Sequence, residues 1–345
     1  MPCRILRSLY LRANGEIPCD DDFGEQMNLG WVQKNAKFSP SEIFSNEKYQ
    51  AIEEAFVSGG MPWGRICNHC ALNRPTDPVD NHLRAKVISY FQIETTLACG
   101  LGCPGCSRSK QIRLRPGPHT LDMSRLKNLV DGLTSEGYAV HNIEYCGQGE
   151  PLDHPNFKGI VRTTREAYPS AKQRLITNGN HDFAEKVHGE FIDEIIVSID
   201  GAHQSSYEKY RIGESFEKAL KFTKDAKSLN PLQNVIWKYI LFEHNDSEQE
   251  IEYAEKLAQT IGVDRLQFVR THSIGKSLNW ENKVLPLRWV GSVEPRYLKI
   301  FKQKLKSGAD FIRDAQTGFN AVIRERYMNL PCICCEPYRH RLHAE

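Results

Sequence analysis

Three cysteines lie close together in the segment TTLACGLGCPGCSRSK, Thr95 to Lys110, and no fourth cysteine follows nearby. They are Cys99, Cys103 and Cys106. A structural zinc site is closed by four ligands, commonly two close pairs, so three thiolates do not complete one. An iron–sulfur cluster is normally held by four cysteines, and three leave one iron with a position for something other than protein. The spacing therefore predicts a cluster with an open iron site.

The remaining cysteines are also mostly grouped. The chain has 345 residues and 11 cysteines; besides the first three they are Cys3, Cys19, Cys67, Cys70, Cys146, Cys332, Cys334 and Cys335. In a cytoplasmic protein disulfides are rare, and clustered thiols more often hold metal or do redox chemistry. We expect this chain to be cytoplasmic, since its N-terminal apolar residues are interrupted by arginines and no uncharged apolar run is long enough to span a bilayer.

The net charge of the chain is small and does not favour a strongly charged partner. There are 45 Lys and Arg against 43 Asp and Glu, a net charge of +2, so neither a nucleic acid nor a membrane surface is the expected partner. The basic residues that follow the cysteines, Arg108, Lys110, Arg113 and Arg115, are interpreted as a solvated loop. A site for a phosphorylated substrate is the alternative interpretation.

Strand-like apolar runs alternate with stretches of helical spacing. The runs cover residues 87–97, 141–146, 173–177, 194–200, 234–242 and 265–269. Regular alternation predicts parallel strands with right-handed crossovers, hence an α/β fold built as a barrel or an open sheet. The carboxyl ends of such strands share one edge, so we expect the cysteine loop, Gly147 to Glu150, Asn178 and Asp200 to lie along one rim.

These motifs together resemble the radical S-adenosylmethionine (radical SAM) superfamily over about residues 85–275. The cysteine spacing resembles its signature, and YCGQGEP, Tyr145 to Pro151, is similar to its glycine-glycine-glutamate motif. LITNGN and IIVSIDGAHQSSYEKYR resemble its third and fourth strands, and VIWKYILFEHND its fifth. The resemblance implies an α/β partial (β/α)6 barrel, a [4Fe–4S] cluster with an open iron, and S-adenosylmethionine as cofactor.

The resemblance also implies roles for individual residues. Gly147, Gly149 and Glu150 are expected to hold the methionine ammonium group. Asn178, Ser198, Asp200 and Arg211 are the further candidates for cofactor binding, the last three for the ribose hydroxyls or the carboxylate; strand-end turns and ion pairs are the alternative interpretation. Gly105 stands where the family usually has an aromatic residue, so adenine contacts stay unassigned.

Cys146 is a candidate catalytic residue next to the glycine motif. It could face the barrel interior and donate a hydrogen atom to a substrate radical, or face the helices as a packed core residue.

Residues 1–84 resemble the auxiliary-cluster module called SPASM, which usually follows the radical SAM core instead of preceding it. In this resemblance Asn14-Gly15 forms a turn between two strands, and Cys3, Cys19, Cys67 and Cys70 hold an auxiliary iron–sulfur cluster. A four-cysteine zinc site is the alternative.

Residues 276–345 are predicted to be a helical extension with a cysteine-rich tail. Cys332, Cys334 and Cys335 are candidate ligands of a second auxiliary cluster. Alternatively, they supply one missing ligand to the N-terminal site, act as redox thiols, or are free buried cysteines.

The function predicted from the sequence is a radical SAM enzyme. It would cleave S-adenosylmethionine reductively to a 5′-deoxyadenosyl radical and abstract hydrogen from a small polar metabolite such as a sugar or nucleotide-sugar. An electron donor such as flavodoxin or ferredoxin would be a partner. A peptide maturase that crosslinks or epimerises a ribosomal peptide is one alternative, and a non-catalytic metal-cluster interaction protein is another.

Overall fold

The computed structural model describes residues 4–19, 27–63, 67, 82–115, 117–270, 275 and 277. Five of the predicted metal ligands lie outside these residues: Cys3, Cys70, Cys332, Cys334 and Cys335. Nearly all of the predicted C-terminal extension lies outside them too. Within the described part of the chain, no helix has the length and apolar character needed to cross a bilayer.

The main sheet has seven strands, and every neighbouring pair in it is parallel. Its strands, in spatial order, are β1 (Ser8–Leu11), β5 (Tyr90–Ile93), β7 (Asn142–Tyr145), β8 (Lys172–Thr177), β9 (Glu194–Ser198), β10 (Asn234–Leu241) and β11 (Arg265–Arg270). Two small pairs complete the described strands: antiparallel β2 (Glu16–Pro18) with β3 (Asn28–Trp31), and parallel β4 (Val87–Ile88) with β6 (Ala139–Val140).

Helices connect most of these strands. The described α-helices are α1 (Pro40–Phe44), α2 (Glu47–Val57), α3 (Arg108–Leu114), α4 (Met123–Ser135), α5 (Phe157–Ala167), α6 (Phe183–Lys186), α7 (Gln204–Tyr207), α8 (Phe216–Leu229) and α9 (Glu248–Ile261). Short polar side chains begin several of them; the Ser247 hydroxyl, for example, accepts the backbone N–H of Glu250 at the start of α9. The predicted α/β fold with parallel strands is confirmed, and each predicted apolar run overlaps a strand of the main sheet.

The two faces of the sheet differ because side chains alternate along each strand. One face is apolar and packs against the helices, with Ile143, Leu175, Ile195 and Trp237 in the core. The other, here called the polar face, carries a row of bonded side chains at one level of the sheet. In this row Arg174 donates to Glu194 at 2.6 Å and to Glu144 at 2.9 Å, and Asn234 donates to Glu194 at 2.6 Å.

The N-terminal residues pack directly on the predicted core. β1 pairs with β5 and not with β2, although the predicted turn at Asn14-Gly15 does separate β1 from β2, and Gly15 has a φ of 95°. In the segment that follows β3, the backbone N–H of Phe38 donates to Asn128 of α4 at 3.2 Å. Cys19 and Cys67 are buried, and the auxiliary four-cysteine site stays a prediction.

Candidate active site

The functional residues predicted from the sequence follow four adjacent strands of the main sheet. The cysteine loop follows β5, Gly147 to Glu150 follow β7, Asn178 follows β8, and Asp200 follows β9. Because these strands are neighbours and parallel, their carboxyl ends share one edge. The hydrogen bonds described below connect these loops to one another.

The cysteine loop places its three thiols in a partly buried turn. Cys99, Cys103 and Cys106 are each half-buried, and the N–H of Cys106 donates to the carbonyl of Cys103 at 3.0 Å. Two backbone N–H groups point at sulfur: that of Leu101 at Cys99 (3.5 Å) and that of Arg108 at Cys106 (3.4 Å). Hydrogen bonds to cluster sulfurs are one of the means by which proteins set a cluster's reduction potential.

Burial raises the pKa of two of the three thiols in the metal-free chain. It raises the pKa of Cys99 to about 12, and it also raises the pKa of Cys103 against the opposing charge of Arg211. Metal ligation requires thiolates, so loading a cluster must release protons. Among the described residues, no three His, Cys, Asp or Glu side chains converge on one metal ion. Cluster thiolates bind different irons, so a cluster site does not require such convergence.

Three hydrogen bonds hold the cysteine loop in place. The Arg108 guanidinium donates to the carbonyls of Leu97 (3.4 Å) and Leu101 (3.2 Å), and the N–H of Gly102 donates to the Ile212 carbonyl at 2.8 Å. Arg108 is therefore a structural part of the cysteine loop. The sequence interpretation of the basic cluster as a solvated loop is wrong for Arg115 as well, which is 5% exposed and paired with a buried carboxylate.

The glycine loop, residues 147–150, lies against the cysteine loop. The N–H of Glu150 donates to the Ala98 carbonyl at 2.7 Å. A Cβ at Gly149 would overlap the carbonyl oxygens of Thr96 and Ala98, so no other residue fits there without displacing backbone. Glycine at this position follows from the close approach of the two loops.

The Glu150 side chain is 3% exposed and strongly bound. Its carboxylate accepts hydrogen bonds from the Thr177 hydroxyl (2.6 Å), the Asn178 N–H (2.7 Å) and the Leu152 N–H (3.2 Å). Burial raises its pKa to about 7 despite these three bonds. A carboxylate offers about four acceptor positions, so room remains for one more donor such as an ammonium group.

Asn178 connects the glycine loop to the cysteine loop. Its backbone N–H donates to Glu150, and its side-chain Nδ2 lies 4.0 Å from the sulfur of Cys99. Its Oδ1 accepts the N–H of Asn180 at 2.8 Å, which fixes the orientation of the amide.

Asp200 is fully buried and bonded within the protein. Its Oδ2 accepts from the Arg211 Nε at 2.6 Å, and its Oδ1 accepts the N–H of Ile240 at 2.6 Å. The Nη2 of Arg211 is 2.5 Å from the same Oδ2 but has no hydrogen bond of suitable geometry. The arrangement therefore positions Arg211, whose Nη2 can donate to a ligand, while Ser198 lies two residues before Asp200 on the same strand edge.

Cys146 lies on the polar face. It is two residues beyond Glu144 of the bonded row, whereas its neighbour Tyr145 points the other way and bonds Thr164 of α5 at 2.5 Å. Burial raises the pKa of Cys146, and the charges of Glu144 and Lys238 also act on it. Of the two orientations left open by the sequence, the structure shows the one away from the helices.

Sequence reasoning missed a buried carboxylate beside the glycine loop. Glu94 is wholly buried at the end of β5 and pairs with Arg115. The only available signal was a charged residue within an apolar strand run, YFQIETTLA. A second missed pair is His181 with Asp153, 2.9 Å apart near Glu150; burial opposes protonation of His181, but Asp153 and Glu150 leave its pKa raised.

The comparisons with known proteins assign this chain to a family. The protein-family model described as the Radical SAM superfamily matches residues 93–266, which is half of the chain. The chain belongs to the radical SAM superfamily, whose enzymes use a [4Fe–4S] cluster and S-adenosylmethionine. A second model, described as the Bacteriophage Lambda NinG protein, matches residues 290–344, outside the described residues.

Individual relatives are distant. GTP 3′,8-cyclase of Peptoclostridium acidaminophilum is 24% identical over 66% of this chain and 69% of its own length. AdoMet-dependent heme synthase of Methanosarcina barkeri is 29% identical over 37% of this chain, and the match spans 36% of that protein. The solved structure of Streptococcus suis SuiB bound to S-adenosylmethionine covers 92% of this chain and 71% of that one, with 11% identity and a TM-score of 0.43.

The residues at the rim fit the family's two cofactors. One loop presents three thiols and nearby backbone N–H groups. Glu150 keeps an acceptor position for an ammonium group, and Arg211 keeps a buried N–H for a carboxylate. The methionine end of S-adenosylmethionine carries an ammonium and a carboxylate group, so these side chains fit the cofactor.

Proposed function

We propose that this chain cleaves S-adenosylmethionine reductively and abstracts a hydrogen atom from a small polar metabolite such as a sugar or nucleotide-sugar. The observation that carries the proposal is the fixed contact between the cysteine loop and the glycine loop, made by the bond from Glu150 N–H to the Ala98 carbonyl. This contact holds three candidate cluster ligands beside a carboxylate suited to an ammonium group.

Each residue has a binding or positioning task in this proposal. Cys99, Cys103 and Cys106 hold the cluster, and Glu150 with the backbone of the glycine loop holds the methionine ammonium. Arg211, oriented by Asp200, binds the methionine carboxylate, while Ser198 and Asn178 border the ribose. When bound, the reduced cluster and S-adenosylmethionine together supply a 5′-deoxyadenosyl radical.

The polar face of the sheet supports a polar substrate. Directly above the row formed by Glu144, Arg174, Glu194 and Asn234, this face has an apolar layer of Ile176, Ile196 and Ile236, level with Cys146. Beyond that layer, toward the carboxyl ends of the strands, it carries Ser198 and Lys238. Polar and charged side chains at this end of the strands favour a substrate with polar groups over a wholly apolar one. The name of one relative, GTP 3′,8-cyclase, also indicates a small polar substrate, a nucleotide, for that protein.

We infer further that the seven-stranded sheet is the partial barrel of this family, extended by β1, because its strands lie in sequential order. Residues 1–84 would carry the auxiliary cluster on Cys3, Cys19, Cys67 and Cys70, and residues 276–345 would follow the core. A cytoplasmic flavodoxin or ferredoxin would supply the electron.

The experiment is anaerobic incubation of the reconstituted chain with a chemical reductant and S-adenosylmethionine, with detection of 5′-deoxyadenosine by mass. The matched control is the same preparation with Cys99, Cys103 and Cys106 all changed to Ala. We expect 5′-deoxyadenosine from the wild type alone. Its absence from wild-type protein that contains a cluster would refute the proposed function.

The substrate class is tested with fractions of a cell extract. The extract is made from cells grown with deuterium, so that its metabolites carry deuterium. If the substrate is a small polar metabolite, adding the low-mass fraction should place deuterium in 5′-deoxyadenosine. Labelling by the peptide fraction alone would favour the peptide maturase instead.

A further inference from the structure

Glu94 is a fully buried carboxylate that accepts four hydrogen bonds. Its donors are the Arg115 Nη1 (2.5 Å), the Gln148 N–H (3.0 Å), the Tyr10 hydroxyl (3.2 Å) and the Ala13 N–H (3.2 Å). A carboxylate has about four acceptor positions. All of them are therefore occupied by the protein, and Glu94 has no capacity left to bind a ligand itself.

The four donors come from three different segments of the chain. Tyr10 belongs to β1, and Ala13 to the turn after it. Arg115 directly follows α3, the helix that begins after the cysteine loop, and Gln148 belongs to the glycine loop. One carboxylate thus connects the N-terminal strand, the cysteine loop's helix and the loop assigned to the methionine ammonium.

Close packing makes the connection to the glycine loop rigid. A Cβ at Gly147 would overlap the Glu94 side chain, so backbone and carboxylate are already in contact. The side-chain Oε1 of Gln148 also accepts a hydrogen bond from the hydroxyl of Ser107, at 2.7 Å. The loop is therefore fixed at Gln148 by Glu94 and at Glu150 by the cysteine loop.

The connection continues outward through the N-terminal residues. Arg12 is 1% exposed, lies over the Tyr10 ring and donates to Glu16 at 2.7 Å. Glu16 in turn accepts from Asn28 of β3 at 2.9 Å. These residues lie outside the family match at residues 93–266, yet they support the carboxylate that holds the glycine loop.

We infer that Glu94 is a positioning residue for S-adenosylmethionine, and that Tyr10 of the N-terminal strand acts on the cofactor through it. The inference rests on the proposed function, since it assigns the glycine loop to the methionine end. Glu94 touches no part of the cofactor. It fixes the backbone that does, and binding groups that are held in place in advance bind more tightly than loose ones.

The test uses two variants and one matched control in the full chain. Tyr10→Phe removes one hydroxyl from Glu94 and nothing else, and Glu94→Gln removes the charge while keeping the shape. Tyr145→Phe is the control, because it deletes an equally buried hydroxyl that bonds Thr164 on the helix side of the sheet. Each protein is reconstituted anaerobically and titrated with S-adenosylmethionine in a calorimeter without reductant, so that no turnover occurs.

We expect the dissociation constant to rise about fivefold in Tyr10→Phe and more than tenfold in Glu94→Gln. Iron content should match the wild type in both. Tyr145→Phe should lower the melting temperature about as much as Tyr10→Phe but leave the dissociation constant within twofold of the wild type.

Wild-type affinity in Tyr10→Phe would overturn the inference even if Glu94→Gln failed to fold. An equal loss of affinity in Tyr145→Phe would also overturn it, since the effect would then reflect general destabilisation. Wild-type protein without affinity for S-adenosylmethionine would refute the proposed function, and this inference with it.

Discussion

Replacing Glu150 by Gln removes one negative charge from the glycine loop while keeping the size of the side chain. The amide oxygen can still accept the Asn178 N–H, and the amide N–H can donate to the Thr177 hydroxyl. The Leu152 N–H, now 3.2 Å from the carboxylate, then loses its acceptor. The loss of one such bond costs about 1 kcal/mol of folding free energy, so the variant should fold.

The effect on the cofactor should be larger. A hydrogen bond to a charged group contributes about 1.5–3 kcal/mol, and each 1.4 kcal/mol changes a dissociation constant tenfold. We therefore expect Glu150→Gln to weaken S-adenosylmethionine binding by about 10- to 100-fold. The visible absorbance of the cluster should stay close to that of the wild type, because the three cysteines are untouched.

Calorimetric titration and an absorbance spectrum of the same sample test both parts. Glu190→Gln is a suitable control, since it alters a carboxylate that is 8% exposed and bonded to Arg162. Glu190 lies in the segment that leads into the amino end of β9, away from the loops at the carboxyl ends. Unchanged affinity in Glu150→Gln would refute the assignment of Glu150 to the ammonium group. Loss of the cluster would show that Glu150 supports the cysteine loop instead.

Three further predictions follow from the same site. The pKa of Glu150 is raised from 4.5 to about 7, so the folded metal-free chain binds this proton more tightly than the unfolded chain. Its stability relative to Glu150→Gln should fall by up to about 3 kcal/mol between pH 4.5 and 7, and parallel pH profiles from urea unfolding would contradict the shift. The triple variant Cys99→Ala, Cys103→Ala, Cys106→Ala should lose all cofactor cleavage. It should keep about four irons if the N-terminal module holds a [4Fe–4S] cluster. Metal analysis that finds zinc or no metal in this variant would refute an iron–sulfur cluster in the N-terminal module. Cys146→Ser should leave cofactor cleavage intact and, if its thiol donates hydrogen, trap or redirect the product, whereas an unchanged product by mass would leave Cys146 only a packing role.

The main strands and the position of the rim could be predicted from the sequence because their signals are local. Five of the six apolar runs are 5 to 9 residues long, which is the length of a strand. The cysteine, glycine and asparagine motifs follow such runs directly. The face on which Cys146 lies could also have been predicted. It is two residues from Glu144, so the two share a face, and a charged residue in a strand indicates the side away from the packed helices.

Contacts between distant residues could not be predicted in this way. β1 is four residues long, and nothing in SLYL indicates a partner 82 positions later, as the pairing of Ser8 with Tyr90 requires. Arg115 looked like one more surface charge beside Arg113, because its partner Glu94 is brought to it only by the fold. The internal bonding of Asp200 to Arg211 and Ile240 likewise depends on tertiary structure.

The pairing of β1 with β5 has a consequence for synthesis of the chain on the ribosome. β1 is made first but cannot join the sheet until residues 90–93 have left the ribosome. At about 5–20 residues per second, that delay lasts about 4–16 seconds. During this delay the strand SLYL has no partner from the main sheet. A chain that began after residue 84 would lack β1, so the edge of β5 would be open to pairing with another molecule.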